Sequence, residues 1–246
     1  MDNALIRRLG RFVRLASEDK QLLSHVSGER VRRFEQREDI VHENARPEAM
    51  VLVLSGWAAR YKTLEDGRRQ IITLLLPGDL CDLNVFVLRR MDHTISTLTS
   101  ATVAEISRTG YEALMLSSPR LREAMWWGNL VTTAIQREWA MNLGQRDAAE
   151  RMAHLFCELF YRLKAVDLTV GNVCALPLTQ AELGEATGLS SVHVNRTLRG
   201  LKAAKLIMLR GKILTIPDIE ALERAALFNR NYLHLDREGA HLDANE

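Results

Sequence analysis

Cysteine is almost missing from this chain. Cys81, Cys157 and Cys174 are the only three in 246 residues, and they stand far apart. Their scatter excludes a disulfide framework and the closely spaced thiolates of a zinc or iron–sulfur site, leaving three packed, reduced thiols as the expectation. The seven histidines show no metal-ligand spacing. No Gly-rich phosphate loop, Ser/His/Asp nucleophile motif or HExxH sequence occurs, so no catalytic or metal site is expected. No apolar run reaches bilayer-spanning length, and MDNALIRRLGRFVRL lacks the unbroken apolar core of a secretion signal. A cytoplasmic protein with no membrane partner is expected. Charge is close to balanced, 33 Lys and Arg against 31 Asp and Glu, and the 47% hydrophobic content suffices for a large core. The length is a soft prior for two domains.

One local absence is more informative. From Ala186 to Pro217 there is no acidic residue, while Arg196, Arg199, Lys202, Lys205, Arg210 and Lys212 fall in the same interval. Positive charge is concentrated there as phosphates would require. The surrounding stretch, Leu178 to Lys205, reads as helix, tight turn and helix. Thr179 and Glu182 form a capping box, Gly188 ends the first helix in a left-handed turn, and Ser190 or Ser191 caps the second. Val194, Leu198 and Leu201 make a buried stripe, which turns Val192, Asn195, Arg196 and Arg199 outward.

That face has the chemistry to read DNA. Arg196 suits a two-pronged guanine contact, Asn195 a base or phosphate, and Val192 a thymine methyl. Arg199 and Lys202 are better placed for phosphate. Leu206–Leu209 and Ile213–Ile216 flank Arg210-Gly211-Lys212 as a hairpin with a basic tip, a wing suited to phosphate contact. Thr179, Gln180, Ser190, Ser191 and His193 complete the DNA-binding set.

Along the chain, Asn3 to Ser27 has helical spacing, with Ser17-Glu18-Asp19 as a second helix cap, and is expected to cover the domain next to it. From Val31 to Ile106, short apolar runs (Met50–Leu54, Trp57–Tyr61, Ile71–Leu76, Thr102–Ile106) alternate with turn chemistry, which predicts an antiparallel barrel or jelly roll. Ser118-Pro119 opens a long helix. Leu121, Met125, Gly128, Thr132, Ile135 and Trp139 alternate spacings of four and three, the seam expected of a homodimer interface, while Trp127, Leu130, Ala134 and Met141 are expected to face the barrel. Asn142 to Gln145 is expected to interrupt the helix as a hinge about Gly144. Pro217-Asp218 starts a terminal helix, and Arg237 to Glu246 is expected to fray. The fold class is therefore α+β: an N-terminal barrel or jelly roll over 1–116, a dimerisation helix over 117–143, and a winged helix-turn-helix with a terminal helix and tail over 144–246.

This order of parts, with LTQAELGEATGLSSVHVNRTLRGLKAAKLI in the DNA domain and PGDL at Pro77 to Leu80, resembles the bacterial Crp/Fnr family from about residue 25 to 220. The resemblance implies a homodimeric transcription regulator that reads a palindrome in double-stranded DNA and contacts RNA polymerase. It puts base contacts on Ser191, Val192, Asn195 and Arg196. Where the best-known members carry a Glu in the recognition helix this chain has Val192, so the operator is expected to differ at that base pair.

The effector follows less directly. Members that bind cyclic AMP use a Gly-Glu pair and a later Arg followed by Ser or Thr. Here Cys81-Asp82 and His93-Thr94 stand at those places, and a neutral His is a poor replacement for a permanently charged fork. Arg89 and Arg90 are the nearby cations, so a weakly specified effector pocket comprises Asp82, Arg89, Arg90, His93 and Thr94. Iron–sulfur members cluster cysteines near the N-terminus, and none precedes Cys81; Cys81 and His93 do not reproduce a haem-ligand pair. No cofactor is expected. A cyclic-AMP-dependent regulator, and a ligand-binding module that signals through protein contacts, stay open as alternatives.

Overall fold

The computed structural model describes residues 3–245. In chain order the elements are α1 (Ala4–Leu9), α2 (Ser17–Val26), β1 (Val31–Phe34), β2 (Asp39–Val41), β3 (Met50–Ser55), β4 (Ala58–Thr63), β5 (Arg69–Leu75), β6 (Leu80–Cys81), β7 (Thr94–Thr97), β8 (Ala101–Ile106), α3 (Arg108–Ser117), α4 (Pro119–Gln145), α5 (Ala148–Ala165), β9 (Thr169–Val170), β10 (Val173–Ala175), α6 (Gln180–Thr187), α7 (Ser191–Ala203), β11 (Met208–Arg210), β12 (Ile213–Thr215) and α8 (Ile219–Ala226). None of the described helices is long and apolar enough to cross a membrane.

The chain divides into two compact units. The first draws on the chain up to Tyr61, on Leu74–Thr133 and on the chain from His234 onward; the second draws on Lys62–Thr73 and Ala134–Leu233.

Strands β1-β8-β3-β6 and β2-β7-β4-β5 form two four-stranded antiparallel sheets, the jelly-roll alternative rather than a closed barrel. Phe34, Val51, Val53, Ala58, Leu75, Cys81, Ile95 and Val103 meet in the core. Burial of such apolar side chains contributes about 1.5–3 kcal/mol each, which is what holds strands this short in register. The four runs read from the sequence match β3, β4, β5 and β8. The remaining strands of the jelly roll, two to four residues long, are too short to show a readable period.

Three expectations about α4 are corrected. Leu121, Met125, Ile135 and Trp139 are at most 5% exposed, so this row lies inside the protein's own core and is not a free dimer seam; Gly128 and Thr132 are half-buried beside it. Trp139 has a polar reason to turn inward, because its Nε1 donates to the buried Glu158 carboxylate at 3.0 and 3.1 Å. The row assigned to the barrel splits: Trp127 and Ala134 are buried, Leu130 and Met141 exposed. The helix also continues through Asn142–Gln145 and ends only before Asp147, which caps α5 by accepting from Ala149 N and Glu150 N.

The tail is not frayed over its described part. Gly239 N donates to Phe12 O at 3.0 Å, Arg14 N donates to Asp243 Oδ1 at 2.9 Å, and Arg237 pairs with Asp243 at 3.0 Å. Its polar composition conceals a local ion pair and backbone bonds to the N-terminal segment. Glu246 lies outside the described residues.

Candidate nucleic-acid interface

Local chemistry builds the helix-turn-helix. Thr179 N donates to Glu182 Oε2 at 2.7 Å and Glu182 N donates to Thr179 Oγ1 at 3.2 Å, which closes the capping box and starts α6. Gly188 takes φ +66°, the left-handed conformation that ends the helix without a Cβ penalty. Ser190 Oγ then accepts from His193 N at 3.3 Å and caps α7. Val194, Leu198 and Leu201 are buried, joined by Thr197.

This burial sets the outward face. Ser191, Val192, His193, Asn195, Arg196, Arg199 and Lys202 are all exposed, and Val192 is 80% exposed on a helix whose Val194, Leu198 and Leu201 are inside. An uncovered Val amid cations is poor for water and suited to a base methyl. Asn195 Nδ2 donates to Gln180 Oε1 at 3.4 Å, which links the recognition helix to the exposed start of α6, where Thr179 also lies. There the helix N-terminus favours anions.

The wing is formed by β11 and β12, paired from Met208↔Thr215 to Arg210↔Ile213, with Gly211 at φ +59° in the turn. Arg210 and Lys212 are exposed at its tip, and Lys212 O accepts from Leu176 N at 2.8 Å. Sheet order β11-β12-β10-β9 shows that the wing rests on a second hairpin, two short strands with no readable periodicity.

Several positioning residues carried no sequence signal. A Cβ on Gly184 would stand 2.5 Å from Leu189 O, so only glycine permits the close approach within the turn. Arg151 of α5 donates to Asn142 O at 3.1 Å, to Arg146 O at 2.9 Å and to Thr187 O at 2.7 Å, tying the end of α4 to the end of α6. Arg69 donates twice to Glu185 Oε2, at 2.8 and 2.6 Å, and Gln70 Nε2 donates to Glu185 O at 2.6 Å. The partners Arg151 and Thr187 are 36 residues apart, and Arg69 and Glu185 are 116 apart, beyond the reach of any local pattern.

In the first unit, the residues at the expected effector pocket separate. Asp82 and His93 come together around Arg60, to which the sequence pattern assigned no role. Arg60 Nη2 donates to Asp82 Oδ1 at 2.7 Å, and His93 Nε2 lies 3.1 Å from both Arg60 Nε and Asp82 Oδ2. Asp92 Oδ1 faces His93 Nδ1 at 2.8 Å. Burial opposes ionisation of Asp82, but the His93 hydrogen bond and the Arg60 charge outweigh it and hold the carboxyl below its ordinary range. Thr94 is buried and accepts from Glu43 N at 3.1 Å, while Arg89 and Arg90 are exposed on the loop. A charged residue inside the apolar run of β4 was the available signal for Arg60. A cavity of 340 Å³ adjoins Asp82, with Val51, Cys81, Met91 and Ile95 among its walls. Burial pushes the Cys81 thiol up to about 12, against the Arg60 charge.

Two family models match the chain: a cyclic nucleotide-binding domain over residues 31–118 and a Crp-like helix-turn-helix domain over residues 150–225. Together they cover the jelly roll and the winged domain in the observed order. The chain belongs to the Crp/Fnr family. It is accordingly a DNA-binding transcription regulator, with a domain of cyclic-nucleotide-binding type ahead of the helix-turn-helix.

Among Crp/Fnr relatives, the transcriptional activator protein FnrL of Cereibacter sphaeroides is 29% identical over 188 residues, 74% of this chain and 73% of that protein. The transcriptional activatory protein AadR of Rhodopseudomonas palustris is 27% identical over 195 residues, 78% and 77% of the two chains. The fold is shared with FixK2 from Bradyrhizobium japonicum, at a TM-score of 0.71 and 23% identity over 79% of this chain and 96% of that one. A CRP-family transcriptional regulator from Thermus thermophilus gives a TM-score of 0.63 at 19% identity, covering 80% and 97%.

Proposed function

We propose that this Crp/Fnr regulator acts as a homodimer that lays two copies of α7 into successive major grooves of a palindromic promoter site and contacts RNA polymerase from there. The observation that carries the reading is the outward face of α7, an exposed Val192 with Asn195 and Arg196 on a helix flanked by cations and no acid. Arg196 and Asn195 read base edges, Val192 meets a thymine methyl, and Arg199, Lys202, Arg210 and Lys212 hold phosphates.

Dimerisation is supported by the row of α4 that remains exposed. Trp126, Leu130, Thr133, Arg137 and Met141 follow one another at spacings of four, three, four and four, and three of the five are large apolar side chains over 50% exposed. A second copy of α4 covers this face. The two recognition helices then stand about 34 Å apart, one turn of DNA. The proposal includes no enzymatic activity and no haem, iron–sulfur or cyclic-nucleotide cofactor, and its place of action is the cytoplasm. Cys81, Cys157 and Cys174 are each buried in a different element, which suits packing rather than ligation.

Selection from a random double-stranded library, followed by footprinting and light scattering, tests the reading. Paired half-sites in opposite orientation, bound by a dimer, are the expected result. A folded protein that selects only single, unpaired half-sites refutes it.

A further inference from the structure

Arg60 and His93 are arranged as a receptor for an anion. Arg60 is 4% exposed and His93 4% exposed, both inside the jelly roll, and their Nε and Nε2 atoms lie 3.1 Å apart. Arg60 Nε donates to His93 Nε2, whose ring faces Asp92 through Nδ1, and the buried guanidinium charge still needs a negative partner on Nη2. Asp82 supplies it: Oδ1 accepts from Arg60 at 2.7 Å and Oδ2 stands 3.1 Å from His93. To reach this place Asp82 adopts φ +57°, the left-handed region that a residue with a Cβ avoids. The backbone therefore departs from its preference where the carboxylate meets both groups.

We propose that Asp82 is a tethered anion which occupies a small-oxyanion site formed by Arg60 and His93, so that the native chain is closed to phosphate and phosphoester ligands there. Asp82 itself lines the 340 Å³ cavity, Arg60 and His93 lie behind it, and the Asp82 side chain remains 22% exposed. Removal of the carboxylate leaves a buried guanidinium uncompensated and a space of carboxylate size open to a free anion. This site is independent of how α7 reads DNA.

The test uses the full chain as native protein, Asp82→Ala, Asp82→Asn and Arg60→Ala/Asp82→Ala. Each is titrated calorimetrically with inorganic phosphate and with cyclic AMP, and melted in phosphate and in chloride at equal ionic strength. Either Asp82 variant is expected to bind inorganic phosphate at least about tenfold tighter than the native chain, or to recover stability in phosphate if it is weakened, and the double variant to lose that gain. Cyclic AMP distinguishes a site that accepts a phosphoester from one sized for the free ion. Native protein that binds either anion as tightly as the variants overturns the proposal. So do Asp82 variants that gain neither affinity nor stability from phosphate, and a gain that survives loss of Arg60.

Discussion

Trp126 and Trp127 are neighbours in α4 with opposite fates: Trp127 stacks on Phe12 with 5.2 Å between ring centroids and is 5% exposed, while Trp126 is 51% exposed. One residue turns a helix by more than a quarter of a circle, so a single step separates the chain's own core from its outward face. Trp126→Asp combined with Leu130→Asp is expected to give a folded monomer by light scattering. Trp127→Ala should instead lower stability by about 3–5 kcal/mol in denaturant titration, as for other large core truncations. A double aspartate variant that stays dimeric removes the outward row from the interface.

Gly184 and Gly200 predict opposite signs for the same substitution. Ala at Gly184 meets Leu189 O at 2.5 Å, and the forced shift should destabilise by about 1–3 kcal/mol and weaken DNA binding in step. Gly200 lies within α7 with nothing within 4 Å of the new Cβ, so Gly200→Ala should stabilise by roughly 0.5–1 kcal/mol through helix propensity. Thermal melts of the two variants against the native chain decide both.

Base and phosphate contacts separate by their salt dependence. Arg196→Ala is expected to cost about 1–3 kcal/mol and to relax preference at one base pair of each half-site. Lys202→Ala should weaken all sequences alike and reduce the magnitude of the slope of log K against log salt by about 1 for each phosphate no longer neutralised. Titrations at several salt concentrations on matched and single-mismatch sites measure both. Equal losses on every sequence for Arg196→Ala would make it a phosphate-binding residue.

His154 makes stability fall in mild acid. Burial, with the Arg146 charge adding to it, lowers its pKa from 6.5 to about 3. Glu138 Oε1 lies 3.2 Å from Nε2 and binds Arg146 at 2.7 Å, but neither nitrogen of the buried ring has a hydrogen-bond partner that would hold a proton on it. The unfolded chain takes up a proton below pH 6.5 that the folded chain refuses, so this contribution is complete above 6.5. It is lost between 6.5 and about 3, at roughly 1.4 kcal/mol per pH unit. Denaturant titrations across this interval should show that slope, and His154→Phe should flatten it. An unchanged slope assigns the acid sensitivity to other groups.

What the amino-acid sequence determined by itself is the output element. The capping box at Thr179 and Glu182, the left-handed Gly188, the cap at Ser190 and the stripe Val194, Leu198 and Leu201 depend on residues within a few positions of one another, and helix geometry converts them directly into an outward face. The wing and the four longer strands were legible for the same reason. Tertiary structure alone decided which row of α4 is free, because heptad spacing marks an apolar seam without naming its partner, and Glu158 draws Trp139 inward. It also decided the sensor. Asp82 and His93 are eleven residues apart and Arg60 is twenty-two from Asp82, so their meeting depends on how two sheets fold over one another, which no local period encodes.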